Sequence, residues 1–120
     1  MAGIIVVERG LCQGLLPAAA TQLYAAPMAP AATMTNQGFK AKIEEILLCN
    51  TGGLPARTVS LWVGTAASTA SQICSNLLLV PNETKRLQLA TIIEIGCSLW
   101  GMADSAGQVC LTASGKEYRW

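Results

Sequence analysis

The chain contains no histidine, one phenylalanine and one aspartate, and only 12% of its 120 residues are charged. Each shortage closes off chemistry. Without an imidazole, neither a Ser-His-Asp nor a Cys-His nucleophile has its proton shuttle. With a single aspartate, no calcium loop of the EF-hand kind can be assembled. The acidic residues are Glu8, Glu44, Glu45, Glu83, Glu94, Asp104 and Glu117. Adjacent Glu44 and Glu45 point to opposite faces of a strand, not at one another as a glycosidase pair must. Gly52-Gly53 is followed by no Gly-Lys-Ser/Thr and no helix, so it reads as a turn and not as a phosphate cradle. No enzyme, metal or cofactor is expected.

Long apolar runs are also missing. No stretch approaches the roughly 20 residues that span a bilayer as a helix, and the N-terminus lacks the basic region of a secretory signal. A net charge of +1 gives no electrostatic grip on nucleic acid or on an anionic membrane. The five cysteines, Cys12, Cys49, Cys74, Cys97 and Cys110, are odd in number and show no C-x-x-C spacing. A zinc site would need four of these dispersed thiols. They read as small buried hydrophobes in a reducing compartment, which points to synthesis in a cytosol.

What the chain does have is apolar surface to spare. Hydrophobic residues make up 52% of it, and although 18 of these are alanines, a mean hydropathy of +0.42 leaves much of the surface only weakly polar. Chains of this kind tend to live in assemblies.

Turn signals recur every eight to twelve residues between short β-rich runs, the signature of an all-β sandwich, jelly-roll-like, with seven or eight antiparallel strands. Residues 11–120 form one domain, preceded at 1–10 by an N-terminal arm or edge strand whose apolar run is Ile4, Ile5, Val6 and Val7. Leu11 to Pro17 reads as a connection. Thr21–Ala26 is a strand stopped at Pro27, and the ten residues after it, including Met28 and Met34, are a long loop of the sort that makes contacts. Gly38 to Val63 reads as a long hairpin reversing at Asn50–Pro55. Its first strand buries Phe39, Ala41 and Ile43, slips parity at a bulge near Glu44-Glu45, and then buries Ile46 and Leu48. Its second buries Val59, Leu61 and Val63, which turns Trp62 outward. Gly64 to Ser75 is small and polar, with room for one helical turn. Leu77–Val80, Lys85–Leu89, Ile92–Gly96, Cys97–Ala103 and Gln108–Tyr118 complete the set. If Leu99 is in the core, Trp100 and Met102 share the opposite face with Cys110 and Thr112.

Trp62, Trp100 and the terminal Arg119-Trp120 pair are the residues with most to contribute outside a core. An exposed tryptophan is a residue packed under a loop, an anchor in a protein interface or a platform for a sugar ring. Ile4, Ile5, Val6, Val7, Met28, Met34, Trp62, Trp100, Arg119 and Trp120 are the candidate assembly contacts.

The pattern Gln22-Leu23-Tyr24-x-x-Pro27, the run Ala41-Lys42-Ile43-Glu44-Glu45-Ile46-Leu47-Leu48-Cys49-Asn50-Thr51 and the run Thr58-Val59-Ser60-Leu61-Trp62-Val63 resemble small β-sandwich virion proteins of tailed bacteriophages. Ile92-x-Glu94-x-Gly96-x-Ser98-Leu99-x-x-x-Ala103, Ala106-Gly107 and Ser114-Gly115-x-Glu117-Tyr118 fit the same pattern, which runs from about Leu11 to Tyr118. The chain departs from it at Pro81-Asn82-Glu83-Thr84 and in the Ala- and Pro-rich loop after Pro27. The resemblance implies a structural protein of the virion with no catalytic residues: a capsid cement (decoration) protein on the capsid exterior, assembled in the host cytoplasm. Its partners would be the major capsid protein and copies of itself, as a homo-oligomer, with a trimer suited to the local three-fold positions of such shells. The alternative is a tail or fibre component with a receptor- or carbohydrate-binding role.

Overall fold

The computed structural model describes residues 5–26, 39–52, 55–94 and 96–119. Eight strands follow one another: β1 Ile5–Leu15, β2 Thr21–Ala25, β3 Phe39–Asn50, β4 Arg57–Gly64, β5 Gln72–Leu79, β6 Thr84–Ile93, β7 Ser98–Ala103 and β8 Val109–Arg119. They build two four-stranded sheets, ordered β1-β8-β3-β6 and β2-β7-β4-β5, with every pairing antiparallel. The pairings are nested: β1 with β8, β2 with β7, β3 with β6 and β4 with β5. This is one long two-stranded ribbon wrapped on itself, and the wrapping adds β3–β8 and β4–β7. The result is a jelly-roll sandwich.

The core lies between the sheets. Strict alternation on β8 buries Val109, Leu111 and Ala113. On β4 the core residues are Val59 and Leu61, with Ser60 between them buried beneath β5. On β3 the buried set passes from Ala41 and Ile43 to Ile46 and Leu48. A bulge at Glu44 accounts for the change, since Ile43 faces Gly115 while Glu45 faces Ser114. The parity slip expected near Glu44-Glu45 is therefore real. Gly115 sits beneath the bulge, where a Cβ would come within 1.9 Å of the Lys42 carbonyl oxygen. Only glycine lets the two backbones approach this closely.

The hairpin expected over Gly38–Val63 is not one. β3 and β4 belong to different sheets, so the chain crosses the sandwich as an arch between the end of β3 at Asn50 and the start of β4 at Arg57, with Gly53 and Leu54 outside the described residues. Asn50 is the reason an arch is stable here. Fully buried, its side-chain amide donates to the Leu79 carbonyl at 3.2 Å and to that of Pro55 at 3.4 Å, and its Oδ1 accepts from the Gly52 N–H at 3.1 Å. Its backbone exchanges bonds with Glu83 and Asn82, so one residue ties the β3–β4 arch to the β5–β6 arch. At the other end of the sandwich, the Tyr24 hydroxyl on β2 donates to the Glu117 carboxylate on β8, whose residue is only 2% exposed.

Other boundaries also move. Leu11–Leu15, expected as a connection, continues β1 past a bulge between Gly10 and Cys12. Lys85–Leu89 and Ile92 belong to one strand, β6. β5 begins at Gln72, after a single 3-10 turn at Thr69–Ser71, and its irregular stretch includes Asn76 at φ 49. β7 and β8 lie in opposite sheets, so Trp100 and Met102 do not share a face with Cys110 and Thr112.

Burial pushes the thiols of Cys12 and Cys74 up from the ordinary thiol range. A group whose folded pKa is raised keeps its proton after the unfolded chain has lost it. Its stabilisation is complete below the ordinary thiol value and is lost as pH rises from there through the folded value. The urea midpoint is expected to fall with rising pH in that alkaline window, and to fall less steeply in a Cys12→Val, Cys74→Val double variant. Equal slopes would show that the two thiols contribute nothing.

Candidate functional site: an uncharged sheet face

Sorting the strands into sheets also sorts the charges. Glu8, Arg9, Lys40, Lys42, Glu44, Glu45, Lys85, Arg86, Lys116, Glu117 and Arg119 all lie in the β1-β8-β3-β6 sheet. In the β2-β7-β4-β5 sheet the one charged residue is Arg57, the first residue of β4. The charged sheet carries ion pairs on its outer side: Lys116 with Glu8 at 3.8 Å and Glu44 at 3.6 Å, and Arg86 with Glu45 at 3.2 Å. Exposed pairs of this kind add little stability, but they keep a face hydrated.

The outer side of the other sheet is built differently. Val59 and Leu61 on β4, and Leu99 and Ala103 on β7, point into the core, so Thr58 and Trp62 face outward with Trp100 and Met102. Ser60 and Ser98 alternate with them but are buried, the Ser60 hydroxyl accepting from the Asn76 N–H at 3.1 Å. Trp62 and Trp100 are register partners and both are partly exposed. The Asp104 N–H donates to the Thr58 carbonyl, and counting along the ladder makes Trp62/Trp100 a hydrogen-bonded pair, with Cα atoms about 5.5 Å apart. The Trp100 indole N–H donates to the Gly64 carbonyl at 3.1 Å, which leans that ring across β4 and fixes it. The same row continues through Gln22, opposite Trp100, and Gln72, opposite Trp62. The face thus reads glutamine, tryptophan, tryptophan, glutamine across its middle row. Leu78, opposite Thr58 and 50% exposed, extends it to the edge.

Such a face can do no acid-base chemistry. It offers two aromatic surfaces, that of Trp100 fixed, and neutral hydrogen-bonding groups, with charge only at its end, where Arg57 and the half-exposed Asp104 pair at 4.0 Å. Aromatic and neutral groups are the composition found at the centre of binding surfaces. A cleft of about 190 Å³ opens where β1 and β2 run along the same side of the sandwich; Gln22, Leu23, Leu15 and Cys12 line it, and no carboxylate does.

Of the expected contact residues, Trp62 and Trp100 are brought together. Val6 stands on β1, the edge strand of the charged sheet, and is 50% exposed. Ile5, Val7 and Arg119 lie in paired strands, with Ile5 opposite Arg119. Ile4, Met28, Met34 and Trp120, and with them the expected loop after Pro27, lie outside the described residues. Met102 is placed on the Trp100 face by alternation alone, whereas Gln22 and Gln72 are not singled out by sequence as contacts. Their place beside the tryptophans depends on the β2–β7 and β4–β5 pairings, and the meeting of all four in one row on the non-local β4–β7 pairing. Neither a family model nor a curated protein matches the chain.

Proposed function

We propose that this chain is a structural protein of a tailed-phage virion, most specifically a capsid cement (decoration) protein that bridges neighbouring subunits on the outside of the shell. The observation that carries the reading is the segregation of charge. One sheet face is laced with ion pairs and suited to solvent, and the other, charged only at the Arg57–Asp104 end, is suited to burial against protein. The family resemblance stated from sequence supports the same role. In this mechanism the β2-β7-β4-β5 face seats on the major capsid protein, with Trp62 and Trp100 as central anchors and the Arg57–Asp104 pair left at its end, where it need not be stripped of water. Many modest contacts, repeated by self-association over a symmetric shell, hold subunits together by avidity.

The test is binding of purified protein to empty shells. Trp62→Ala and Trp100→Ala together are expected to weaken it by at least about 30-fold, since interface anchors typically contribute about 2 kcal/mol or more. Glu8→Ala and Lys42→Ala on the charged sheet are expected to change it less than about twofold. The proposal fails if the protein ignores shells, and the assignment of the face fails if only the charged-sheet variants lose binding. A second reading, a tail or fibre component that binds a receptor glycan, is favoured by the tryptophan pair flanked by Gln22 and Gln72, because stacked rings and side-chain amides suit a neutral sugar. Binding to host glycans without binding to shells would select it.

A further inference from the structure

Cys49 on β3 and Cys110 on β8 stand directly opposite one another in the ladder. The neighbours of both point inward: Leu48 and Asn50 on one strand, Val109 and Leu111 on the other, all buried. Both thiols therefore project from the outer side of the charged sheet, away from the tryptophan face, each partly exposed and unbridged. Thr51 donates its N–H to the Gln108 carbonyl at 2.9 Å. Two residues further along the same ladder, Cys49 and Cys110 form a hydrogen-bonded pair with a Cα separation of about 5.5 Å. That falls within the range disulfides use, roughly 4.4–6.8 Å. The Cβ gap across facing strands is about 4.5–5.5 Å and is widest in hydrogen-bonded pairs, so it exceeds the roughly 3.5–4.5 Å of a disulfide by about 1 Å. Closing the bond must draw the strands together by that much. The other cysteines have no such partner: Cys12 faces Ala113 and Cys74 faces Leu61, while Cys97 lies in the turn before β7.

We propose that Cys49 and Cys110 are a reversible dithiol–disulfide site, oxidised by low-molecular-weight disulfides of the glutathione class, that rivets the two central strands of the charged sheet. The exchange runs in two steps. One cysteine, as thiolate, attacks a sulfur of the small disulfide; a mixed disulfide forms and one small thiolate leaves. The other cysteine gives its proton to solvent and attacks the protein sulfur of the mixed disulfide, releasing the second small thiolate. Two electrons pass from the cysteine pair to the small disulfide, and the protein thiol protons end on the two small thiols. Burial raises the thiols of Cys12 and Cys74, which lowers their thiolate fraction and slows them as competitors. The strain of drawing the strands together keeps the couple reducible, so the site is open in a reducing cytosol and closed outside it. None of this depends on the virion reading. If that reading holds, the rivet is added after release, on the side of the protein that faces solvent.

The folded full-length chain is incubated with oxidised glutathione and quenched with acid, and its thiols are counted under denaturing conditions. The count is expected to fall from five to three, and peptide mapping to join residues 49 and 110. Tm is expected to rise by about 5–15 °C and to return to its starting value with dithiothreitol. Cys49→Ser is expected to stop at a mixed disulfide on Cys110, with no internal bridge and no rise in Tm. The proposal is overturned if all five thiols persist, if the bridge joins any other pair, or if Cys49→Ser gains the same stabilisation. Should that variant fold poorly, the peptide map of the unaltered chain decides by itself.

Discussion

Gly115→Ala is expected to lower the unfolding free energy by at least about 3 kcal/mol, enough to leave much of the protein unfolded or insoluble. The added methyl carbon would stand 1.9 Å from the Lys42 carbonyl oxygen, 3.0 Å from its carbonyl carbon and 3.1 Å from the Glu44 nitrogen. These are backbone atoms, so no rotamer change relieves the contact. The β3 segment that crowds Gly115 is paired on its far side with β6, Lys42 facing Ile92, so moving it away tears a second ladder. Ordinary overpacking, where side chains can shift, costs about 1–3 kcal/mol; this case belongs above that range. Gly14→Ala is the control. Nothing lies within 4 Å of a Cβ there and its φ is not positive, so the change is expected to stay within about 1 kcal/mol in either direction. Urea titration of both variants checks the pair, and equal midpoints would refute the close approach.

Asn50→Leu is expected to cost roughly 2–4 kcal/mol although leucine has the branching and heavy-atom count of asparagine and the site is fully buried. The substitution removes the donor to Leu79 and Pro55 and the acceptor for Gly52. The Leu79 carbonyl belongs to a fully buried residue, so water does not replace the lost bond cheaply. The damage falls at one end of the sandwich, where Asn50 also bonds Glu83 and Asn82 through its backbone. Hydrogen exchange should therefore quicken first in the two arches, residues 50–57 and 80–84, before global unfolding. A uniform loss of protection, or none, would contradict the role assigned to Asn50.

The same residue explains what could be read from sequence and what could not. Alternation located most strands, and the parity slip at Glu44-Glu45 was legible because it moves large aliphatics from odd to even positions. A cluster of Asn, Gly and Pro announces that the chain reverses, but hairpins and arches use the same residues. Whether the strands on either side stay in one sheet is decided by what the buried Asn50 amide can reach, and Leu79 is distant in sequence. β5 was half hidden because its irregular stretch around Asn76 breaks the period of two. Trp62 and Trp100 were each placed off the core face from local alternation. Their union into one site, and the absence of charge around it, appear only once the non-local pairings assign every strand to a sheet.

The nested pairing has a kinetic meaning. Only β4 and β5 are partners adjacent in sequence, closed by the short stretch from Thr65 to Ser71. Each further pair, β3–β6, then β2–β7, then β1–β8, encloses the one before. Closing the outermost pair first would sacrifice the conformational freedom of nearly the whole chain, whereas zipping outward adds only a short increment of loop at each step. Folding should thus begin at the β4–β5 tip and finish at the β1–β8 edge, with the slow rates of a high-contact-order topology. Until β8 arrives, β1 and β3 both wait with unpaired edges on the sheet that will carry the charges. Their Glu8, Arg9, Lys40, Lys42, Glu44 and Glu45 then have a task before any partner is met: they keep nascent chains from pairing with each other.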